Sequence, residues 1–394
     1  MSEAKCKHQM LLVSAQPMPN FLPILNSELK PESVTLVVSD KMKDRAEWLK
    51  KEIAKHQVEI LPDIEIGGTE TDINAIQESL MAWEDKNSDL MKDSVLNATG
   101  GTKPMAIAAQ EIYRMAGRPV FYLDVATDNV SWVSGANAGL KLEKSPTLSQ
   151  VFGLNGLTVE SGDFKSIVEN EKWKHFCDEI ASSPDGWALA LGVLNDKAST
   201  AVNEVDFARS RRDKDEALML RYGNHELATP KWNEMLEILH ADELISGTTA
   251  SERFVSAEAA RFCAGIWLEH YVFSVLKGFG FDKKRTLMNA VVVDSKGNRN
   301  ELDSVVIHRN TCYVIEDKTK NMKIKSGSTG NVADQTVYKL AQVTKNLGIR
   351  TKGILISARQ VRPVDKYRAK AYGVEIIDWL PDLKSQLSRI MGLA

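Results

Sequence analysis

The 394-residue sequence contains only four cysteines, and no two of them form a CxxC pair: Cys6, Cys177, Cys263 and Cys312. This spacing disfavours a zinc site and a disulfide framework and predicts reduced, buried thiols. No apolar run approaches the roughly 18 residues that a membrane-spanning helix needs. The N-terminus also lacks the long apolar stretch and small-residue cleavage site of a secretory signal. We therefore expect a cytoplasmic protein that does not bind a membrane.

The common nucleotide-binding motifs are also missing, since neither GxGxxG nor GxxxxGK[ST] occurs in the chain. Their absence disfavours dinucleotide or nucleoside-triphosphate binding by those routes. Charge is abundant but unevenly placed. Residues 255–394 contain 23 Lys and Arg against 13 Asp and Glu (+10), whereas residues 1–254 contain 27 against 40 (−13). The basic C-terminal part predicts contact with a polyanion, with a merely soluble basic surface as the alternative.

The length predicts about two or three domains at roughly 100–200 residues each. Within residues 8–145, short β-rich runs alternate with helical stretches, which indicates βαβ units and a largely parallel sheet. We expect this domain to occupy residues 1–148. A glycine-containing connector at 149–165, a mainly helical region at 166–252 and a final domain at 253–394 would follow.

The final domain has the pattern helix, three strands, helix, two strands. The predicted ranges are a helix at 257–277, strands at 287–293, 302–307 and 312–315, a helix at 334–347, and strands at 353–357 and 374–377. The first helix carries an apolar stripe with i, i+4, i+7, i+11 and i+14 spacing: Phe262, Ile266, Glu269, Phe273 and Leu276. A carboxylate within such a stripe is costly unless it is paired or binds a metal. The alternative is a glutamate at the helix edge that reaches solvent.

Acidic and basic side chains occur on two neighbouring strands of this domain. Side chains at i and i+2 share a face of a strand, so Glu316 and Lys318 point the same way. A hairpin through Arg309-Asn310 would bring Asp303 close to both. Carboxylates hold Mg²⁺ or Mn²⁺ through oxygen, the metal activates a water, and a lysine stabilises charge on a phosphate. The set therefore predicts metal-dependent phosphodiester cleavage.

The segments Asn300-Glu301-Leu302-Asp303 and Val314-Ile315-Glu316-Asp317-Lys318-Thr319-Lys320 resemble the PD-(D/E)xK nuclease superfamily. The resemblance implies an α-β-β-β-α-β core with Glu269, Asp303, Glu316 and Lys318 as catalytic residues. It also implies metal ligands from Glu269, Asp303, Glu316 and Asp317. Asp317 would contribute its backbone carbonyl, because its side chain should point to the opposite face of the strand. Nearby Lys320, Lys323 and Lys325 are expected either to track a nucleic-acid backbone or to lie in a solvated loop.

Polar residues follow the first and a later strand of the N-terminal domain, where ligands of parallel sheets bind. Gln16 and Asn20 follow the first strand, and Thr99-Gly100-Gly101-Thr102-Lys103 precedes a helix. The glycines permit close approach and the helix N-terminus offers N–H groups to a phosphate, although a structural turn is the alternative. The combination resembles the CRISPR-associated Rossmann-fold (CARF) sensor domain. That resemblance implies a cyclic-oligoadenylate site formed by Ser14, Gln16, Asn20, Ser39, Thr99, Gly100, Gly101, Thr102 and Lys103.

Together the two parts predict an α/β protein with an N-terminal Rossmann-like CARF domain and a C-terminal restriction-endonuclease-like domain. The pair resembles the DUF1887-type nucleases of type III CRISPR systems, which are activated by cyclic tetra-adenylate. The resemblance implies a homodimer that cleaves single-stranded RNA and DNA with Mg²⁺ or Mn²⁺, leaving nicking of duplex DNA open. One alternative is a nucleotide-responsive DNA-binding regulator with a degenerate nuclease domain. Another is a CARF domain that degrades its own activator.

Overall fold

The computed structural model describes residues 6–68, 70–134, 139–208, 210–223, 231–248, 251–319, 332–348 and 350–393. Lys320, Lys323 and Lys325 of the predicted basic loop lie outside the described residues. Within the described ranges, every helix is too short or too polar to cross a membrane.

An eight-stranded sheet forms the N-terminal part. Its strands are β1 His8–Leu12, β2 Ser33–Ser39, β3 Glu59–Ile60, β4 Ile64–Gly67, β5 Ser94–Asn97, β6 Val120–Asp124, β7 Asn129–Ser134 and β8 Leu140–Lys141. The order is β3-β2-β1-β5-β6-β7-β8, and β4 also pairs with β2. Strands β1 to β6 pair in parallel, whereas β7 and β8 extend the sheet antiparallel. The predicted parallel-rich α/β sheet is confirmed.

Helices cover both faces of this sheet: α1 Met18–Leu25, α2 Lys43–Ala54, α3 Ile73–Lys86, α4 Ser88–Lys92 and α5 Lys103–Met115. Strand β1 shows why two layers are needed. Met10 and Leu12 pack into one apolar cluster and Leu11 packs into another, on the opposite face. A strand buried on both faces is typical of parallel sheets flanked by helices.

The expected connector at 149–165 is instead regular structure. It contains helix α6, Leu148–Gly153, and strand β9, Leu157–Asp163. Strand β9 pairs antiparallel with the first strand of the C-terminal sheet. Leu157 and Val159 are half-buried while Thr158 and Glu160 are exposed, so the strand alternation outweighs the turn signal of the glycines. The segment covers what would otherwise be an open sheet edge.

Residues 166–252 contain helices α7 Lys174–Ser182, α8 Pro184–Phe207, α9 Arg211–Ala217 and α10 Trp232–Ala241, and strand β10 Ile245–Ser246; strand β11 Arg253–Phe254 follows. These helices do not have a core of their own. Phe176, Leu194 and Trp232 belong to the same buried cluster as Trp267 and Ile315 of the C-terminal part. The helical region is therefore a layer packed on the C-terminal domain.

The C-terminal sheet has six strands in the order β16-β15-β14-β13-β12-β9. Its further strands are β12 Thr286–Asp294, β13 Arg299–His308, β14 Thr311–Lys318, β15 Thr351–Ser357 and β16 Val374–Ile377. The helices are α11 Ala257–Arg261, α12 Trp267–Lys277, α13 Val332–Asn346, α14 Pro363–Ala371 and α15 Leu383–Met391. Arg309 and Asn310 form the tight β13–β14 connection, with φ of 45° and 62°. The α-β-β-β-α-β order implied by the sequence is present, with α14 and α15 as additions.

The predicted continuous helix at 257–277 is interrupted by a single turn of π-helix, Phe262–Ile266, in which Gly265 has φ of 148°. The extra residue shifts the phase of the buried face. Phe262 and Trp267, five apart, are both buried, whereas Ile266 is only half-buried. The predicted i, i+4 stripe is therefore wrong at Ile266. Such π-turns are frequent at functional sites, and this one immediately precedes the helix that carries Glu269.

Candidate active site and sensor edge

Asp303, Glu316 and Lys318 meet at one end of the C-terminal sheet. Ser304 pairs with Ile315 across β13 and β14, which places Asp303 beside the end of β14. The backbone N–H of Asp317 donates to Asp303 Oδ2 at 2.7 Å. The Lys318 ammonium donates to Glu316 Oε1 at 2.6 Å and to the Asp317 carbonyl at 3.1 Å. Its Nζ lies 3.9 Å from Asp303 Oδ2.

Three oxygens from the implied metal ligands thus converge on one cation, the Lys318 ammonium. An all-oxygen donor set suits Mg²⁺ or Mn²⁺. Among the described residues, no three or more His, Cys, Asp or Glu side chains are grouped closely enough to hold a metal. One converging oxygen here is a backbone carbonyl, and the lysine stands between the two carboxylates. The donors therefore fit an oxygen-ligated divalent ion that competes with Lys318 for the same oxygens.

Negative charge exceeds positive charge at this edge. Burial, together with the charge of Asp303, raises the pKa of Glu269 to about 8, although Lys318 lowers it. Burial and the charge of Glu316 raise the pKa of Asp303 to about 6, against the opposing effect of Lys318. The Glu269 side chain of α12 therefore lies within electrostatic reach of the strand residues. Both raised pKa values have the same physical cause: burial and neighbouring carboxylates together outweigh the positive charge of Lys318.

The Asp317 side chain lies on the other face of β14. Ile315 shares that face and packs into the cluster of helix α12, whereas Val314 packs on the opposite side. The Asp317 side chain is buried, and neither carboxylate oxygen has a hydrogen-bond partner within the described part of the chain. Burial and the charges of Asp303 and Glu269 raise its pKa well above the ordinary value. Its backbone carbonyl remains the candidate ligand.

One charged residue near the site was not predicted. Besides the larger effects of burial and Glu316, the charge of Lys339 on α13 lowers the pKa of Asp303. Lys339 is exposed, so it can meet a polyanion at the rim of the site. Lys339 reaches the site only because helix α13 crosses the sheet between β14 and β15. No local sequence motif marks this lysine.

The sensor residues gather at the carboxyl ends of β1, β2 and β5, which pair in parallel. A Cβ on Gly100 would lie 2.0 Å from the Leu12 carbonyl oxygen, so only glycine fits between β1 and β5. Gly101 has φ of 74°, which also favours glycine. Exposed Thr102 caps helix α5 by accepting from Met105 N–H at 3.3 Å, and Lys103 is exposed as the first residue of that helix.

Several predicted sensor residues support this edge instead of facing solvent. Asn20 is fully buried and donates to the Leu12 carbonyl at 2.8 Å. Ser39 is buried beside Glu70, with which it forms a hydrogen bond. Thr99 Oγ1 accepts from Leu123 N–H at 2.7 Å, and the Ser14 hydroxyl donates to the Gln16 carbonyl at 3.2 Å. Short polar side chains here hold the loops that end the strands.

Two charged residues at the same edge were not predicted from the sequence. Lys41 pairs with Glu70, and the Glu70 carbonyl accepts from Thr102 Oγ1 at 2.9 Å. They lie in loops after β2 and β4, and β4 itself was not predicted. No local sequence pattern distinguishes either residue from other charged loop residues.

Gln16 lies where the sensor part meets the C-terminal sheet. A Cβ on Gly348 would be 2.8 Å from Gln16 Oε1. A cavity of about 20 Å³ lies beside it, lined in part by Asn155, Asn310 and Arg350. That volume holds about one water molecule. The structure thus brings Gln16 to the boundary between domains and not only to the expected ligand edge.

Arg350 links the two parts of the chain. Its guanidinium lies 3.6 Å from Asp128 of the β6–β7 turn, and both side chains are largely buried. It also donates to the carbonyls of Arg309 and Asn310, each at 3.0 Å. Those carbonyls belong to the hairpin that leads into β14, so Arg350 connects the sensor part to the strand that ends at Glu316 and Lys318.

Family models match both parts of the chain. Residues 9–149 match the model of the Card1 CARF domain, and residues 256–392 match the model of the Card1-like endonuclease domain. No curated protein is significantly similar in sequence. The fold and the site thus define a two-part protein, in which a CARF domain is joined to a nuclease domain. The chain belongs to the Card1-like family of CARF-domain nucleases.

Solved structures share this architecture. Protein VC1899 from Vibrio cholerae has a TM-score of 0.83 at 22% identity, covering 98% of both chains. Can2 from Sulfobacillus thermosulfidooxidans, solved in complex with cyclic tetra-adenylate, has a TM-score of 0.76 at 22% identity, again covering 98% of both. A type III CRISPR defence DNA nuclease activated by cyclic oligoadenylate has a TM-score of 0.53 at 16% identity, covering 97% of this chain and 51% of its own. At these identities the likeness shows a shared fold.

Proposed function

We propose that this protein is a cyclic tetra-adenylate-activated endonuclease that cleaves single-stranded RNA and DNA with a divalent metal. The observation that carries the proposal is the convergence of Asp303, Glu316 and the Asp317 carbonyl on a single cation. The CARF domain supplies the sensor, and Can2, which shares this fold, was solved in complex with cyclic tetra-adenylate. Such an activity would serve antiviral type III CRISPR defence by cutting nucleic acid during infection.

Asp303, Glu316 and the Asp317 carbonyl would hold the metal, which would supply an activated water and stabilise charge on the phosphate. Glu269 would hold it directly or through water. Lys318 must first leave Glu316. Burial lowers its pKa, but Glu316 and Asp303 raise it more, so the net pKa lies above the ordinary value. A lysine that stays protonated serves as a donor to the scissile phosphate and not as a base.

The proposed activator has two-fold symmetry, which suits a homodimer in which each chain contributes half of the binding site. The exposed Thr102 and Lys103 at the N-terminus of α5 would contact its phosphates. Because a ligand can shift an equilibrium only by contacts that differ between states, the activator must favour one arrangement of the sensor loops. The Gln16–Gly348 and Asp128–Arg350 contacts would carry that change to β14.

The test is a cleavage assay with Mn²⁺ and labelled single-stranded RNA and DNA, with and without cyclic tetra-adenylate. We expect cutting only when the activator is present. Glu316→Ala and Lys318→Ala should each reduce the rate by about 100-fold or more, the usual effect of removing one electrostatic stabiliser. Equal cutting without activator would overturn the sensor assignment. Full activity of either variant would overturn the site.

A further inference from the structure

We propose that Tyr338 and Tyr372 form a platform on which unpaired bases of the substrate stack as the strand enters the active site. This inference rests on the proposed nuclease function and adds a binding surface to it. Tyr338 lies on α13, which follows the catalytic strand β14 in the chain, and Tyr372 caps the end of α14.

The first supporting observation is where the exposed tyrosines lie. The chain has eight tyrosines, and four are exposed in the structure: Tyr122, Tyr338, Tyr367 and Tyr372. Three of these four belong to the α13–α14 helix pair. Tyr338 is 52% exposed, Tyr367 78% and Tyr372 47%. Large rings left in water at one place mark an interaction surface more often than chance exposure does.

The second observation is that the pair is preformed. The two rings are 4.8 Å apart between centroids at an interplanar angle of 60°, and their hydroxyls are 3.1 Å apart. One helical turn away, Arg368 contacts both carboxylate oxygens of Asp334 at 2.8 Å. Asp334 and Tyr338 are spaced i, i+4 on α13, as are Arg368 and Tyr372 on α14, so each pair joins the same two helices. Rings held in this way lose little freedom when a base stacks on them.

The third observation connects the platform to the catalytic carboxylates. Strands β14 and β15 are parallel, and α13 and α14 each follow one of them, so both helices begin at the edge of the sheet where Lys318 lies. Tyr372 lies at the other end of α14, beside the start of β16, and it contacts Tyr338 within α13. The pair therefore lies along the helices behind the catalytic edge. Lys339, next to Tyr338, lies within electrostatic reach of Asp303. A strand lying on the tyrosines would therefore pass Lys339 before it reached the carboxylates.

The net positive charge of the α13–α14 surface favours a nucleic acid as its ligand. Residues 332–346 and 363–371 contain five Lys and Arg (Lys339, Lys345, Lys366, Arg368 and Lys370) and two Asp (Asp334 and Asp365), a balance of +3. A basic surface with exposed rings fits single-stranded nucleic acid, in which phosphates meet cations and bases meet rings. A second copy docking here about a two-fold axis would place +3 against +3, which is unfavourable.

The experiment compares full-length variants with activator and Mn²⁺ present. Tyr338→Ala combined with Tyr372→Ala should raise KM for a short single-stranded oligonucleotide about 10- to 100-fold, the effect of losing one stacked base, while kcat changes little. Tyr338→Phe combined with Tyr372→Phe should keep a near-normal KM, because the rings remain. Tyr122→Ala, an equally exposed tyrosine in the sensor sheet, is the matched control and should leave KM unchanged.

The outcomes separate this inference from the proposed function. If the wild type does not cut at all, the nuclease function itself fails. If the wild type cuts and the double alanine variant keeps its KM, only the platform is overturned. An equal loss in the alanine and phenylalanine variants would also overturn it, because stacking needs rings and not hydroxyls. A change in sedimentation of the double alanine variant from dimer to monomer would assign the surface to a second copy instead.

Discussion

The two sheets of this protein each end in a candidate functional edge, and the two edges are built in opposite ways. At the sensor edge, Asn20 and Thr99 satisfy backbone groups of their own domain, and Gly100 packs directly against the Leu12 carbonyl. At the nuclease edge, burial and neighbouring carboxylates raise the pKa values of Glu269 and Asp303, because the charge of Lys318 does not offset them. At the sensor edge, these polar side chains form hydrogen bonds within their own domain. At the nuclease edge, the acidic side chains outnumber the nearby cations.

The difference teaches what each edge can recognise. A neutral edge with a helix N-terminus and close glycines offers N–H groups to an anionic ligand at little cost in desolvation. An edge with excess carboxylate repels a phosphate until a cation intervenes. Under the proposed function, one edge of this protein would bind a polyanion directly, and the other would bind one through a metal.

Gly100→Ala is the substitution from which we expect the largest effect on the sensor edge alone. The new Cβ would lie 2.0 Å from a backbone oxygen, so β1 and β5 must move apart. We expect affinity for cyclic tetra-adenylate to fall by about 100-fold, the effect of misplacing binding groups by roughly 1 Å. Isothermal titration calorimetry measures it. Gly68→Ala is the control, since no atom lies within 4 Å of its added Cβ. Normal affinity in Gly100→Ala would show that this edge does not hold the activator.

Arg350→Met tests whether the two edges communicate. The substitution removes the contact with Asp128 and the donors to the Arg309 and Asn310 carbonyls. We expect activator-stimulated cleavage to fall by about 10-fold, within the usual range of coupling energies, with activator affinity changed much less. Arg299→Met removes an exposed pair with Glu160 and should change neither quantity. If stimulation in Arg350→Met equals that of the wild type, the coupling runs elsewhere.

A pH dependence of stability should distinguish the nuclease edge from the sensor edge. The folded pKa of Glu269, about 8, lies above its ordinary value of 4.5. The folded state therefore binds more protons than the unfolded state between these values, and stability falls as pH rises through that window. The slope for one group is at most about 1.4 kcal/mol per pH unit.

Thermal unfolding in a metal chelator between pH 5 and 8.5 measures this slope. Glu269→Gln should flatten it, because the amide does not titrate. The control is Glu234→Gln at an exposed position of α10, which should keep the wild-type slope. A stability that rises with pH across this window in the wild type would contradict the assignment of a buried, protonated Glu269.

Much of the site was predictable because it depends on local periodicity. Glu316 and Lys318 share a face since strands alternate, and the Arg309-Asn310 turn made the hairpin to Asp303 foreseeable. The buried face of the helix that carries Glu269 was not predictable, because the extra residue in the π-turn changes which side chains are buried. Strand β9 was missed because its glycines signal a turn, while its pairing partner β12 is far along the chain.

The sequence by itself determined the two α/β parts, the grouping of Asp303, Glu316 and Lys318 on neighbouring strands, and the glycines that let β1 and β5 meet. These features depend on residues close together in the chain, so strand alternation and turn geometry are enough to predict them. The tertiary structure alone decided that Lys339 reaches Asp303 and that Gln16 and Arg350 join the sensor part to β14. Those relations join residues from separate elements, so a helix crossover sets the first distance and the contact between the two parts of the chain sets the others.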